Sequence, residues 1–368
     1  MERTVLVRLR WLDLPRYEDI LVTGGAGFIG SNFSNYILSK YPSSRVTIYD
    51  NFSRFGTEHN LSWLREIYPD DDRLKVVRAG LQDSTTLSEA VAGKDLILHA
   101  AAQVAVTTSL TDPTSDFKTN ALGTLNLLEA ARKSRGDPVL LYCSTNKVYG
   151  SLDSLPLREE PLRYEFSEHS SGVEETQALD PCTPYGCSKA VGDIYFQDYA
   201  DSYGTKSVVF RMSCIYGLHQ YGTEDQAWIS HFIISLILGR PITIYGDGKQ
   251  VRDILFIDDL CQAFELAADH IERTQGKFYN MGGGPENTYS LLELISYLEQ
   301  VAKRKFLASY SSWRPADQKV YYSNIGKAKR DLEWSPKIGK EKGVRLLYDW
   351  TLKNRALFES ANRTTNSA

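Results

Sequence analysis

The sequence predicts an α/β fold with a doubly wound parallel sheet, on three observations. Short apolar runs of strand length alternate with longer amphipathic segments through the first 145 residues. A glycine-rich turn joins the first of these runs to the first helical pattern. The 368 residues suffice for one large lobe with a smaller one beside it. Strands that alternate with helices pair in parallel and cross over right-handed, so ligands bind at the carboxyl ends of the strands.

Residues 1–18 scatter charge through an apolar background and lack a small-residue cleavage site. They read as an N-terminal extension and not as a signal peptide. "DILVT" opens the first strand at Asp19, and "GGAGFIG" follows it. Gly24 permits a tight turn, Gly27 lets the backbone approach a pyrophosphate, and Gly30 lets the helix sit close to the strand. The helix start then offers backbone N–H groups to the phosphates. A second strand, "RVTIYD", ends at Asp50, 20 residues after Gly30. A carboxylate there accepts ribose hydroxyls and repels a 2′-phosphate, so the predicted cofactor is NAD. Phe28, Ile29, Asn51 and Ser53 flank these positions and are candidate cofactor contacts. Arg54 is either a surface arginine or a place for an extra phosphate, and the sequence leaves both readings open.

Alternation continues through "RLKVVRAG", "STTLSEAVAG", "DLILHAAAQV", the helical "NALGTLNLLEAARKS" and "PVLLYCSTN". The predicted architecture is therefore a Rossmann-type lobe over 19–180, to which later strands such as "SVVFRMS" return. Over 181–353 a catalytic helix and a smaller substrate-binding lobe follow, with a tail at 354–368. Strand ends place Ala100, Ala101, Ala102, Gln103 and Thr145 on the same rim as the glycine turn, with Leu81 offering its backbone. His99 and His231 lie on apolar stretches and read as packing residues.

"TPYGCSKAVGDIYFQDYA" puts Tyr185 four residues before Lys189, on one face of a helix. A lysine ammonium near a phenol favours the phenolate, so Lys189 is expected to lower the Tyr185 pKa and let it take a proton from a sugar hydroxyl. Thr145 is expected to orient the same hydroxyl. An isolated Tyr–Lys pair at this spacing is ordinarily surface decoration; here the combination decides.

Glycine turn, acidic strand end, hydroxyl at a later strand end and Y-x-x-x-K, in that order, resemble the short-chain dehydrogenase/reductase superfamily. The length and "GGAGFIG" are similar to its extended, sugar-nucleotide-modifying branch. The resemblance implies Tyr185 as acid/base, Lys189 as holder of the cofactor ribose, and Thr145 as third catalytic residue. Dehydratases of this branch carry Asp-Glu after the threonine, whereas this chain has Asn146 and Lys147. Neither supplies a carboxylate, which disfavours dehydration and favours oxidation and re-reduction at one carbon. "STNKVYG", the long segment ending in "TPYGCSK", and "DQAW" resemble the CDP-tyvelose (CDP-paratose) 2-epimerase family over Asp19 to Lys353. This implies interconversion of CDP-paratose and CDP-tyvelose through a 2-keto sugar.

By the same resemblance Arg252 and Arg314 bind the diphosphate, with Asn146, Ser213 and Asp317 as further substrate contacts. Surface pairing of those arginines with Asp253 or Asp317 is the competing reading. Three departures stand out. Cys214 replaces an asparagine common in 4-epimerases, His219 replaces an arginine, and Gly80 replaces an aspartate that meets the adenine amino group. Asp83 is read as a helix cap. Rival readings are a UDP-sugar 4-epimerase and a non-catalytic NAD-binding regulator.

A net charge of −4 without long basic runs gives no surface for nucleic acid or anionic membrane. The longest apolar run, Phe232 to Gly239, is far below a membrane span. Five cysteines without C-x-x-C spacing suggest a reduced, cytoplasmic setting and no metal site. A homo-oligomer, dimer or tetramer, is expected.

Overall fold

The computed structural model describes residues 17–69 and 72–359. The expected extension 1–18, apart from residues 17 and 18, and the tail from 360 onward lie outside the described residues.

Along the chain run β1 (Asp19–Thr23), β2 (Arg45–Asp50), β3 (Leu74–Arg78), β4 (Leu96–His99), β5 (Val139–Thr145), β6 (Ser207–Met212), β7 (Cys214–Tyr216), β8 (Val251–Phe256), β9 (Phe278–Met281), β10 (Thr288–Ser290) and β11 (Val320–Tyr321). Seven of these form one parallel sheet in the order β9-β6-β5-β4-β1-β2-β3. The order reverses between β1 and β4, which opens a ligand crevice at their carboxyl ends. The other four make a smaller sheet around β8, with β10 antiparallel and β11 parallel on its first half and β7 parallel on its second.

Period-two alternation divides the central strands between two cores. Ile20, Val22, Leu96, Leu98 and Leu141 pack on one face, where α1 (Phe28–Lys40) contributes Phe33 and Ile37. Leu21, Ile97, Leu140 and Tyr142 face the other way, onto Leu87 of α2 (Ser84–Val91), Leu127 of α3 (Gly123–Lys133) and Phe196 of α4 (Pro184–Tyr203). Both faces are covered, which explains why these strands read as unbroken apolar runs.

One predicted element differs. The helix read from Asn120 is α-helical only from Gly123, and Lys118–Leu122 form a wider π turn. Asn120 accepts from the Gln103 N–H (2.9 Å) and donates to the Gln103 carbonyl (2.9 Å), tying this turn to the loop after β4.

Candidate active site

A cavity of about 660 Å³ lies along the carboxyl ends of β1, β2 and β4. The glycine turn, Phe28, Ile29, Asp50, Asn51, Ser53, Arg54, Leu81 and the run from Ala100 to Gln103 all line it. Gly24 holds φ +67°, and a Cβ there would fall 2.6 Å from Ala101 N. A Cβ on Gly30 would fall 2.3 Å from the Gly24 carbonyl oxygen, so strand and helix approach at glycine distance. At Gly27 an added Cβ meets only Gly24 O, at 3.1 Å, and is otherwise in open space. The turn is therefore a cradle into which a phosphate fits against the start of α1.

Asp50 is buried, and its two oxygens accept from Ala26 N (3.1 Å) and Phe52 N (2.8 Å). Each oxygen keeps acceptor capacity for a ribose hydroxyl. These residues fit a dinucleotide. Arg54 is engaged across the cavity by the Gln226 side-chain oxygen. The space over Gly80 is taken by the Gln82 amide oxygen, 2.7 Å from where a Cβ would stand. Asp83 caps α2, accepting from Thr86 N at 3.1 Å. His219, with φ +62°, also lines the cavity and stacks on Trp63 with ring centroids 3.5 Å apart. It faces the same cavity as the glycine turn.

The catalytic candidates converge from two elements. β5 delivers Thr145, and the start of α4 delivers Tyr185 and Lys189. Helix α4 starts there because Thr183 caps it, accepting from Gly186 N at 3.1 Å, and Pro184 suits its first position. All three side chains are buried, and Thr145 Oγ1 accepts from Lys147 N at 3.3 Å.

The expected electrostatics need correcting. Burial pushes the Tyr185 phenol up to about 12, and Thr145 and the Arg54 charge offset it only in part. Lys189 itself is pushed down to about 8 by burial, with its ammonium 4.1 Å from the Tyr142 ring centroid. A four-residue spacing puts the pair on one helix face but carries no information on desolvation.

A buried polar network that the sequence reading passed over sits behind the pair. Asp116 accepts from Ser188 Oγ and from Asn120 Nδ2 (3.1 Å). An asparagine and an aspartate inside an apolar helical pattern were the available signal. His99 is fully buried between the hydroxyls of Thr23 (2.7 Å) and Thr124 (2.9 Å), and burial pushes it down to about 3. It is a neutral packing residue.

On the substrate side, Asn146 Nδ2 donates to Gln318 Oε1 (3.1 Å), and Ser213 Oγ donates to the Asp253 carbonyl (3.0 Å). Arg252 pairs with Asp317 at 2.6 Å, and Lys147 approaches the same oxygen at 3.5 Å. Arg314 is engaged by another segment, donating to Glu224 O (2.9 Å) with its guanidinium 4.1 Å from the Tyr245 ring centroid. Cys214 Sγ accepts from Trp228 Nε1 at 3.4 Å. Among the described residues no helix is long and apolar enough to cross a membrane, and no three His, Cys, Asp or Glu side chains are grouped to hold a metal.

The profile of the NAD dependent epimerase/dehydratase family matches residues 20–282. A CDP-paratose 2-epimerase of Salmonella typhi is 37% identical over 339 residues, covering 90% of this chain and 98% of that protein. A putative UDP-glucose 4-epimerase of Methanocaldococcus jannaschii is 31% identical, covering 91% and 99%. The structure of a dTDP-glucose 4,6-dehydratase from Streptomyces venezuelae, solved with NAD bound, superposes with TM-score 0.80 at 28% identity, covering 93% and 99%.

Proposed function

The chain belongs to the NAD dependent epimerase/dehydratase family, and we propose that it epimerises C2 of a CDP-linked hexose, interconverting CDP-paratose and CDP-tyvelose. One observation carries the choice of epimerisation over dehydration. The two residues after Thr145 are an amide and an ammonium, Asn146 bonded to Gln318 and Lys147 held only loosely, 3.5 Å from Asp317. Loss of water requires a further acid and base, and neither residue is a carboxylate. Similarity to the CDP-paratose 2-epimerase supports the base and the carbon.

The glycine turn and Asp50 hold NAD in this reading, with Lys189 on its ribose. When bound, NAD would supply the hydride acceptor and donor and, while oxidised, a positive charge that favours the Tyr185 phenolate. Thr145 orients the C2 hydroxyl, and Tyr185 takes its proton as the 2-keto sugar forms. The ring then presents its other face, and Tyr185 returns the proton. Arg252, Arg314 and Asp317 anchor the nucleotide, with Ser213 and Asn146 bordering the sugar. Leu110, Phe117 and Ile194 leave apolar side chains exposed on neighbouring helices, which supports a homo-oligomer.

The test is proton NMR of purified protein with CDP-paratose and, separately, UDP-glucose, without added NAD. Inversion at C2 of the CDP sugar is expected. Turnover of UDP-glucose alone to its C4 epimer overturns the reading in favour of a 4-epimerase.

A further inference from the structure

We propose that Lys147 is a substrate residue, the cation that joins Arg252 in binding the phosphate attached to the sugar. The inference rests on the C2 reading and deepens it.

The backbone of Lys147 is fixed to the catalytic pair. Its N–H donates to Thr145 Oγ1 (3.3 Å), and its carbonyl oxygen lies 3.1 Å from where a Cβ on Gly186 would stand, one residue past Tyr185. Its side chain leaves this point for the smaller sheet. There it meets Asp317 Oδ1, which Arg252 already holds at 2.6 Å. Lys147 lies 3.5 Å from that oxygen, longer than a charge-assisted hydrogen bond at its optimum of about 2.8 Å. Two cations therefore share one carboxylate oxygen, and Arg252 has the better bond.

The Lys147 and Asp317 side chains are 21% and 22% exposed, and that of Arg252 is 9% exposed, so water screens the excess charge poorly. The trio carries one net positive charge, and the neighbouring Cys214 thiol, pushed up by burial, stays neutral. A phosphoryl oxygen supplies the missing acceptor.

Position completes the argument. C2 adjoins the anomeric carbon, whose oxygen bears the phosphate. A sugar oxidised at C2 beside Thr145 and Tyr185 must hold its phosphate close to them. A sugar oxidised at C4 points its phosphate across the ring. A cation two residues from Thr145 that reaches the Arg252 cluster matches the first geometry.

The experiment is calorimetric titration of CDP and of cytidine into the NAD-loaded protein and its Lys147→Met and Lys147→Arg variants. Lys147→Met is expected to weaken CDP about 10- to 100-fold, leave cytidine unchanged, and retain wild-type NAD content. Lys147→Arg is expected to recover most of the loss. Unchanged CDP affinity in Lys147→Met overturns the proposal. Equal weakening of cytidine also overturns it, because the lysine is then only a structural prop. If the wild type binds UDP in preference to CDP, the choice of base in the function reading fails, and the same comparison with UDP and uridine judges Lys147.

Discussion

Replacing Arg211 by methionine tests how the fold holds the catalytic residues. Arg211 and Asp193 form an ion pair whose side chains are 3% and 0% exposed. Asp193 accepts from Arg211 Nε (3.0 Å) and Nη2 (2.8 Å), from Ser144 Oγ (2.7 Å) and from Gln197 Nε2 (2.7 Å). Ser144 adjoins Thr145, and Asp193 lies one helical turn beyond Lys189, so one carboxylate ties β5 to α4 where both enter the site. Arg211→Met leaves that carboxylate buried with only neutral donors, a loss of about 3–5 kcal/mol. Unfolding entropy near 2.1 cal/mol/K per residue makes about 0.8 kcal/mol/K for a chain of this size, so Tm should fall by about 4–6 °C. Removing both charges in Arg211→Met/Asp193→Leu abolishes the stranded anion, and Tm should return most of the way. Tyr149, which also receives an Arg211 bond (3.1 Å), keeps its own bond to Asn280 (2.7 Å). Scanning fluorimetry at fixed NAD measures all three proteins. A single variant within about 1 °C of wild type, or a double variant no more stable than the single, refutes the reasoning.

Three further expectations follow from the site. Tyr185→Phe keeps the ring and removes the proton carrier, so kcat should drop by about 10²–10⁴ with Tm unchanged, as read by NMR turnover and fluorimetry. Asp50→Ala removes the acceptor of Ala26 N and Phe52 N and the charge beside the ribose. Titration should show the preference for NAD over NADP falling by about 10- to 100-fold. His99 stays neutral when folded, with a pKa pushed down to about 3, whereas in the unfolded chain it takes up a proton near pH 6.5. Its contribution to stability is therefore full above pH 6.5 and is lost as pH falls toward 3. Between pH 6.5 and 5 the loss is about 2 kcal/mol, and His99→Gln should flatten that part of the Tm–pH curve.

The dinucleotide half of the crevice was legible because its logic is local. Gly24, Gly27 and Gly30 lie within one turn, and Asp50 ends the next apolar run. The parallel, doubly wound sheet was legible in the alternation and the return of β6 to it was expected, whereas the strand order comes only from the structure. Tyr185 and Lys189 were legible as a helical pair, but their charge states were not. Burial of the phenol, with the nearby Asp116 charge adding to it, reverses the shift that spacing suggests. Contacts between distant segments were equally out of reach. Lys147 and Asp317 are 170 residues apart, and the pairing of β8 with β11 and the packing of Val251 and Val320 with Val148 bring them together. The bond from Gln103 N–H to the Asn120 side chain, which ties the π turn at Lys118–Leu122 to another loop, was hidden for the same reason.

The most direct test of the C2 reaction uses CDP-paratose carrying deuterium at C2, incubated in ordinary water and followed by NMR. Withdrawal and return of the same hydrogen predicts CDP-tyvelose with the deuterium still at C2. Label lost to solvent, or retained in a sugar inverted at another carbon, contradicts the account.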